Sequence, residues 1–148
     1  MVFRKETMLH WNDHYINQTE RNIGYITYTE QERLRKTPIG VFGVGGIGGP
    51  LAEQLVRSGC ERITICDFDT FDETNLNRQI CTMDDIGDYK VNVLENYLKK
   101  INPEVKIQKY SNVTEEKTVE MIKNIDVAAL SLDGPIASII IARECQVQ

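Results

Sequence analysis

The fold is decided by Ile39-Gly40-Val41-Phe42-Gly43-Val44-Gly45-Gly46-Ile47-Gly48 and by two stretches after it, Ile63-Thr64-Ile65-Cys66-Asp67-Phe68-Asp69 and Asn75-Leu76-Asn77-Arg78-Gln79. An apolar run enters a glycine turn in which Gly43, Gly45 and Gly48 fill the three positions of G-x-G-x-x-G. The three positions serve, in turn, a tight turn, close backbone approach of a phosphate, and close packing of helix on strand. Residues 50–58 then read as the helix whose N-terminal amides face that phosphate. A second apolar run stops at Asp67, roughly twenty residues past the turn, where a ribose-binding carboxylate is expected. The stretch predicts a nucleotide site at the carboxyl ends of two parallel strands.

Working outward, the 148 residues suit one domain or part of one. A formal net charge of -5 argues against a nonspecific nucleic-acid binder. No apolar run approaches the roughly twenty residues a membrane span needs. Met1-Val2-Phe3-Arg4-Lys5-Glu6 lacks the apolar centre of a secretion signal. Cys60, Cys66, Cys81 and Cys145 form no C-x-x-C pair, so no zinc site is expected in this chain. Their reading is reduced thiols in a cytoplasmic protein.

The remaining elements follow from periodicity and punctuation. Residues 8–18 predict a short helix with Leu9, Trp11, Tyr15 and Ile16 as its apolar residues. Thr29 with Glu32 predicts a capping box and a second helix, ended before Pro38. Strands are expected at 39–44, 62–66, 105–110 and 127–130, the last one buried. Helices are expected after them, with Gly59 stopping the first and Val91, Leu94, Tyr97, Leu98 and Ile101 on one face of the next. Helix 115–123 would turn Val119 and Ile122 inward, and Pro135 opens a final apolar helix carrying Ile136, Ile139, Ile140 and Ala142. Residues 67–87 predict an ordered site loop. Four strand–helix repeats imply a doubly wound, mainly parallel α/β sheet. No strand follows the last helix, so the sheet is read as C-terminally incomplete or covered by a partner. The expected division is a helical arm over 1–37 and a nucleotide-binding domain over 38–148.

The downstream residues separate the nucleotide readings. Bridged phosphates of a dinucleotide are largely satisfied by backbone amides, whereas a triphosphate calls for fixed cations. Arg78 offers two donors, and Lys90 starts a helix whose dipole favours the same anion. The alternative for both is an ordinary solvated charge. Asp133, closing the fourth strand, suits either Mg2+ or the N-cap of the last helix. Asp69 lies two residues past Asp67 and suits phosphate, metal or a loop amide.

Gly43-Val44-Gly45-Gly46-Ile47-Gly48, Asp67-Phe68-Asp69, Asn75-Leu76-Asn77-Arg78-Gln79, Ile86-Gly87-Asp88-Tyr89-Lys90-Val91 and Ile101-Asn102-Pro103 together resemble the ThiF/MoeB/HesA family, which includes the ubiquitin-activating enzymes. The resemblance runs from about Arg21 to Arg143 and implies a Rossmann-like adenylation domain. It further implies an ATP- and Mg2+-dependent adenylyltransferase acting on the C-terminal carboxylate of a ubiquitin-like sulfur-carrier protein or peptide, as in thiamine or molybdopterin biosynthesis. Carried over residue by residue, it assigns Gly43, Gly45, Gly46, Gly48, Asp67, Asp69, Asn75 and Gln79 to nucleotide binding. Arg78 and Lys90 would bind phosphates and stabilise charge, and Asp133 would hold magnesium. Arg21, in Glu20-Arg21-Asn22-Ile23-Gly24, is similar to an arginine that reaches the neighbouring subunit's site, which implies a homodimer. The family domain is longer than this chain, and its zinc site and crossover loop lie in the part without a counterpart here. Cys145 is too early to match the family's C-terminal cysteine.

Three other functions compete. The tRNA threonylcarbamoyladenosine dehydratases share the Asn75-x-Asn77-Arg78-Gln79-Ile80 pattern, though the acidic charge disfavours RNA. A noncatalytic nucleotide-binding subunit would keep the fold without turnover. An NAD-dependent dehydrogenase would leave Arg78 and Lys90 without a role.

Overall fold

A computed structural model describes residues 10–111 and 115–147. Helix α1 spans Asp13–Thr19. It starts later than the periodicity predicts because Asn12 caps it, accepting the Tyr15 N–H at 2.7 Å. Met8 and Leu9, assigned to this helix from sequence, lie outside the described residues. Trp11 precedes the helix and meets Tyr15 edge-on, with ring centroids 5.0 Å apart. After a 3-10 turn at Glu20–Asn22, α2 spans Tyr28–Lys36. Its capping box pairs Thr27 with Glu30, not Thr29 with Glu32. Both pairs have the right spacing, but Glu32 is taken by the Trp11 indole and by Lys36.

Four parallel strands, β1 Ile39–Phe42, β2 Arg62–Cys66, β3 Lys106–Tyr110 and β4 Val127–Leu130, lie in the order β3-β2-β1-β4. Side chains alternate across the sheet, and each face receives its own helices. Val41, Ile63 and Ile65 pack with Ala52 and Val56 of α3 (Gly48–Arg57) and with Val91, Leu94 and Leu98 of α4 (Lys90–Ile101). Phe42 and Cys66 pack with Met121 and Ile122 of α5 (Glu115–Lys123) and with Ile141 of α6 (Pro135–Val147). This is the expected doubly wound α/β arrangement, with central β1 fully buried.

Two inward-facing assignments are corrected. The fourth strand is an edge, not a buried strand: it pairs only with β1, and Val127 and Leu130 are 50% and 40% exposed. A continuous apolar run does not distinguish a central strand from an edge. In α5 the fully buried positions include Thr118 and Met121 beside Ile122, while Val119 is half-buried. Ile136 and Ile139 of α6 are exposed, and Ile141 carries its core contact. Among the described residues no helix is long and apolar enough to cross a membrane.

The arm caps α3. The last carbonyls of a helix lack intrahelical donors. Gln18 Nε2 donates to Val56 O at 2.6 Å, Asn22 Nδ2 and Gln31 Nε2 donate to Ser58 O at 3.1 and 2.8 Å, and the Tyr15 hydroxyl donates to Gly59 O at 2.9 Å. Burial pushes the Tyr15 phenol up to about 12, so it remains a donor. Gly59 ends α3 with φ +99°, and a Cβ there would stand 2.5 Å from Gln31 Nε2 and 2.7 Å from the Tyr15 hydroxyl.

Gly59→Ala is therefore expected to cost about 2–4 kcal/mol, combining left-handed strain with displacement of the arm. Gly87→Ala, at φ +91° with nothing within 4 Å of a Cβ, should cost about 1 kcal/mol. Urea unfolding of both variants checks the ranking. A second prediction concerns acid. Lys109 and Lys99 flank Glu95 and hold its carboxyl below its ordinary 4.5. A depressed folded value contributes stability above the unfolded value and loses it as pH falls through the folded one. Both lysines are well exposed, so the contribution is at most about 0.5 kcal/mol. The stability difference between wild type and Glu95→Gln should be present at pH 7 and close below pH 4.5.

Candidate functional site

The carboxyl ends of β1, β2 and β4 converge on the glycine turn. Gly43 N–H donates to Cys66 O at 2.7 Å, and Ser131 N–H donates to Phe42 O at 2.8 Å. Strand β1 stops at Phe42, short of the expected Val44, because Gly43 takes φ +85°. A Cβ at Gly43 would lie 2.5 Å from Ser131 O, and one at Gly48 would lie 1.8 Å from Gly43 O. Those two glycines are demanded by the chain's own packing. Gly45 is different: a Cβ there meets only the Gln79 amide, at 3.7 Å and beyond. Among the described residues nothing requires glycine at 45, which is the position expected to let a phosphate approach the backbone.

Asp67 fixes the turn. It is 6% exposed; Oδ2 accepts the Val44 N–H at 2.8 Å and Oδ1 accepts the Asp69 N–H at 2.9 Å. Each oxygen keeps a further lone pair for a ligand hydroxyl. Beside it, burial and the Asp67 charge push the Cys66 thiol up to about 12, so Cys66 is no nucleophile. Asp69 is half exposed and receives the Lys90 ammonium at 2.9 Å. Lys90 is the first residue of α4 and is buried.

Residues 72–86 fold back over the turn through two 3-10 turns, Glu73–Asn75 and Met83–Asp85. Asn75 closes a capping box with Asp72, accepting its N–H at 3.2 Å. The Arg78 side chain lies across Gly46, with Cγ 3.2 Å from where a Cβ would be. Its guanidinium donates to Thr74 O at 3.0 Å and to Asn77 Oδ1 at 2.9 Å, and it remains exposed. Gln79 lies across Gly45, and its buried Oε1 accepts no hydrogen bond. Gly43, Gly45, Gly46, Gly48, Asp67, Asp69, Asn75, Arg78, Gln79 and Lys90 thus fall on the side of the sheet where β1 and β2 end.

Of the two remaining predicted residues, Asp133 comes two positions after Ser131, whose backbone closes on Gly43. Asp133 is exposed in the segment between β4 and α6. It is not the N-cap of α6, because Gly134 O accepts the first hydrogen bond of the helix, from the Ser138 N–H. Among the described residues no group of three or more His, Cys, Asp or Glu side chains could hold a metal ion. Arg21 is exposed in the turn at Glu20–Asn22, whose Asn22 is bound to the far end of α3. The 10-residue helix places that end about 15 Å from the glycine turn. Ser131 was missed from sequence. Its hydroxyl donates to Gly43 O and ties β4 to the turn, and the only sequence signal was a serine directly after the fourth apolar run.

Residues 19–148 match the sequence profile of the ThiF family. A sulfur carrier protein adenylyltransferase of Thermus thermophilus is 32% identical over 106 residues, covering 70% of this chain and 39% of that protein. E. coli tRNA N6-threonylcarbamoyladenosine dehydratase, solved in complex with ATP, superposes with a TM-score of 0.87 at 24% identity, over 92% of this chain and 57% of that one. At that identity the likeness bears on the fold alone. E. coli MccB, solved with ATP, gives a TM-score of 0.72 at 27% identity, over 90% and 42% of the two chains. The chain spans less than half the length of the curated relatives it matches. With a profile match over most of its length and the same Rossmann-like fold, the chain belongs to the ThiF family.

Proposed function

We propose that this chain supplies the ATP site of an adenylyltransferase that activates the C-terminal carboxylate of a ubiquitin-like sulfur-carrier protein or peptide. The observation that carries the reading is the fold-back of Arg78 and Gln79 onto Gly46 and Gly45. It brings a guanidinium over a glycine turn at the start of a helix, and Lys90, paired with Asp69, is a second cation after β2. A triphosphate uses both charges, while a dinucleotide pyrophosphate needs neither. The unpartnered Gln79 Oε1, an acceptor beside Gly45, fits a hydroxyl or amino donor of a nucleotide. The ATP complex of E. coli MccB supports the same ligand.

Apart from that of Asn75, the roles are those the resemblance implies. The first amides of α3 and Arg78 hold phosphate, Asp67 orients ribose, and Asn75 stiffens the loop that carries Arg78. The acceptor carboxylate attacks the α-phosphorus in line, and the bond to the bridging oxygen of pyrophosphate breaks. No protein nucleophile is needed, so rate enhancement comes from positioning and from charge stabilisation by Arg78 and Lys90. Mg2+ would neutralise phosphate charge, with Asp133 as its one protein carboxylate and the nucleotide supplying other oxygens. In a cytoplasmic homodimer, the partner subunit's Arg21 would complete each site, consistent with its distance from the turn in its own chain. Arg21 is then the cation that makes the site composite. Residues 1–37 act as the arm presenting it, and 38–148 as the nucleotide-binding domain.

Arg78→Ala should weaken Mg·ATP binding by about tenfold or more and abolish carrier-dependent pyrophosphate exchange. Calorimetry and labelled-pyrophosphate exchange measure the two. Exchange that needs modified tRNA rather than a carrier protein would move the acceptor to RNA. ATP binding without exchange, across the full-length protein and all acceptors, would make the chain a noncatalytic subunit. Tight NAD binding without ATP competition would overturn the reading.

A further inference from the structure

The loop bearing Arg78 leaves and rejoins the fold through one narrow neck. Phe71 N–H donates to Asp88 O and Gly87 N–H donates to Phe71 O, both at 2.9 Å. Thr70 and Tyr89 pair antiparallel, and Lys90 N–H donates to Asp69 O at 3.0 Å. At the end of this short ladder the Lys90 ammonium meets Asp69 Oδ2, with side-chain exposures of 7% and 50%. A lysine buried to that degree requires a counter-ion. Asp69 is that counter-ion, and its own N–H is held by Asp67, which holds Val44. A continuous set of contacts therefore runs from the glycine turn to the ammonium.

We propose that Asp69 is a positioning residue: its carboxylate parks the Lys90 ammonium at the mouth of the site and latches the neck of the Arg78 loop, without itself binding nucleotide. The inference rests on the ATP reading above for its binding arm only. An ammonium has three donors, so Lys90 can keep one on Asp69 while another turns to an arriving phosphate. The two residues then differ in what their loss does. Removing Lys90 removes a phosphate partner. Removing the Asp69 charge frees the ammonium and takes a negative charge away from a polyanion site.

Wild type, Lys90→Met, Asp69→Asn and Asp69→Ala are compared in two measurements. The first is the lysine 15N-ammonium NMR spectrum without nucleotide. A slowly exchanging Lys90 signal, assigned by its absence in Lys90→Met, is expected in wild type and lost in Asp69→Ala. Asp69→Asn, which keeps an acceptor, is the milder variant should Asp69→Ala not fold, and its signal should weaken. The second is Mg·ATP affinity: Lys90→Met should weaken it about tenfold or more, and Asp69→Asn should weaken it less than Lys90→Met does. A wild-type spectrum without that signal, or a signal unchanged in the Asp69 variants, overturns the proposal. So does loss of affinity in Asp69→Asn equal to that in Lys90→Met. If wild type does not bind Mg·ATP, the ATP reading fails, and the ammonium signal alone decides the latch.

Discussion

One hydrogen bond organises the site: the buried Asp67 carboxylate accepts the Val44 N–H from the middle of the glycine turn. It joins the loop after β2 to the loop after β1, the two places where a parallel sheet presents ligand-binding groups. A buried carboxylate is costly unless its oxygens are satisfied, and both oxygens of Asp67 accept backbone donors. The acid that the sequence suggested for ribose therefore also shapes the turn. Its second role explains why the turn is preformed before any ligand arrives.

Around that bond the packing leaves little freedom. Gly48 approaches Gly43 O so closely that no side chain fits, and Ser131 closes the third side. Strand order matters here. Because β4 lies beside β1, the chain crosses to opposite faces after β1 and after β3, and the reversal falls between β1 and β4, where parallel sheets bind ligands. The Arg78 loop lies over the turn that follows β1, anchored by the pairing at residues 69–71 and 87–90. Cations delivered by such a loop can tighten on a phosphate without disturbing the sheet.

Much of this was legible from residue order. The G-x-G-x-x-G turn, the acid after β2, β2 at Arg62–Cys66 and the start of α4 at Lys90 all follow from local rules that the tertiary structure keeps. What escaped is nonlocal. Choosing Thr27 over Thr29 as a cap depends on Glu32 meeting Trp11, a residue 21 positions earlier. The exposure of β4 depends on sheet order, which apolar content does not encode. Asp69 was visible as an acid, but its engagement of Lys90 depends on the neck that brings residues 69 and 90 together. Arg21 is the reverse case: a resemblance singles it out, and its own chain holds it at the end of α3 away from the glycine turn, so nothing local to its sequence marks it.

The central claim is that the glycine turn and the folded-back loop are built for the phosphates of ATP. A crystal structure of the protein with a nonhydrolysable ATP analogue tests it most directly. The account predicts phosphates along Gly45 to Gly48, with the Arg78 guanidinium turned from Thr74 O onto them and the Asp67–Val44 bond intact. An analogue bound elsewhere, or a guanidinium still on Thr74 with the phosphates beyond its reach, would contradict it.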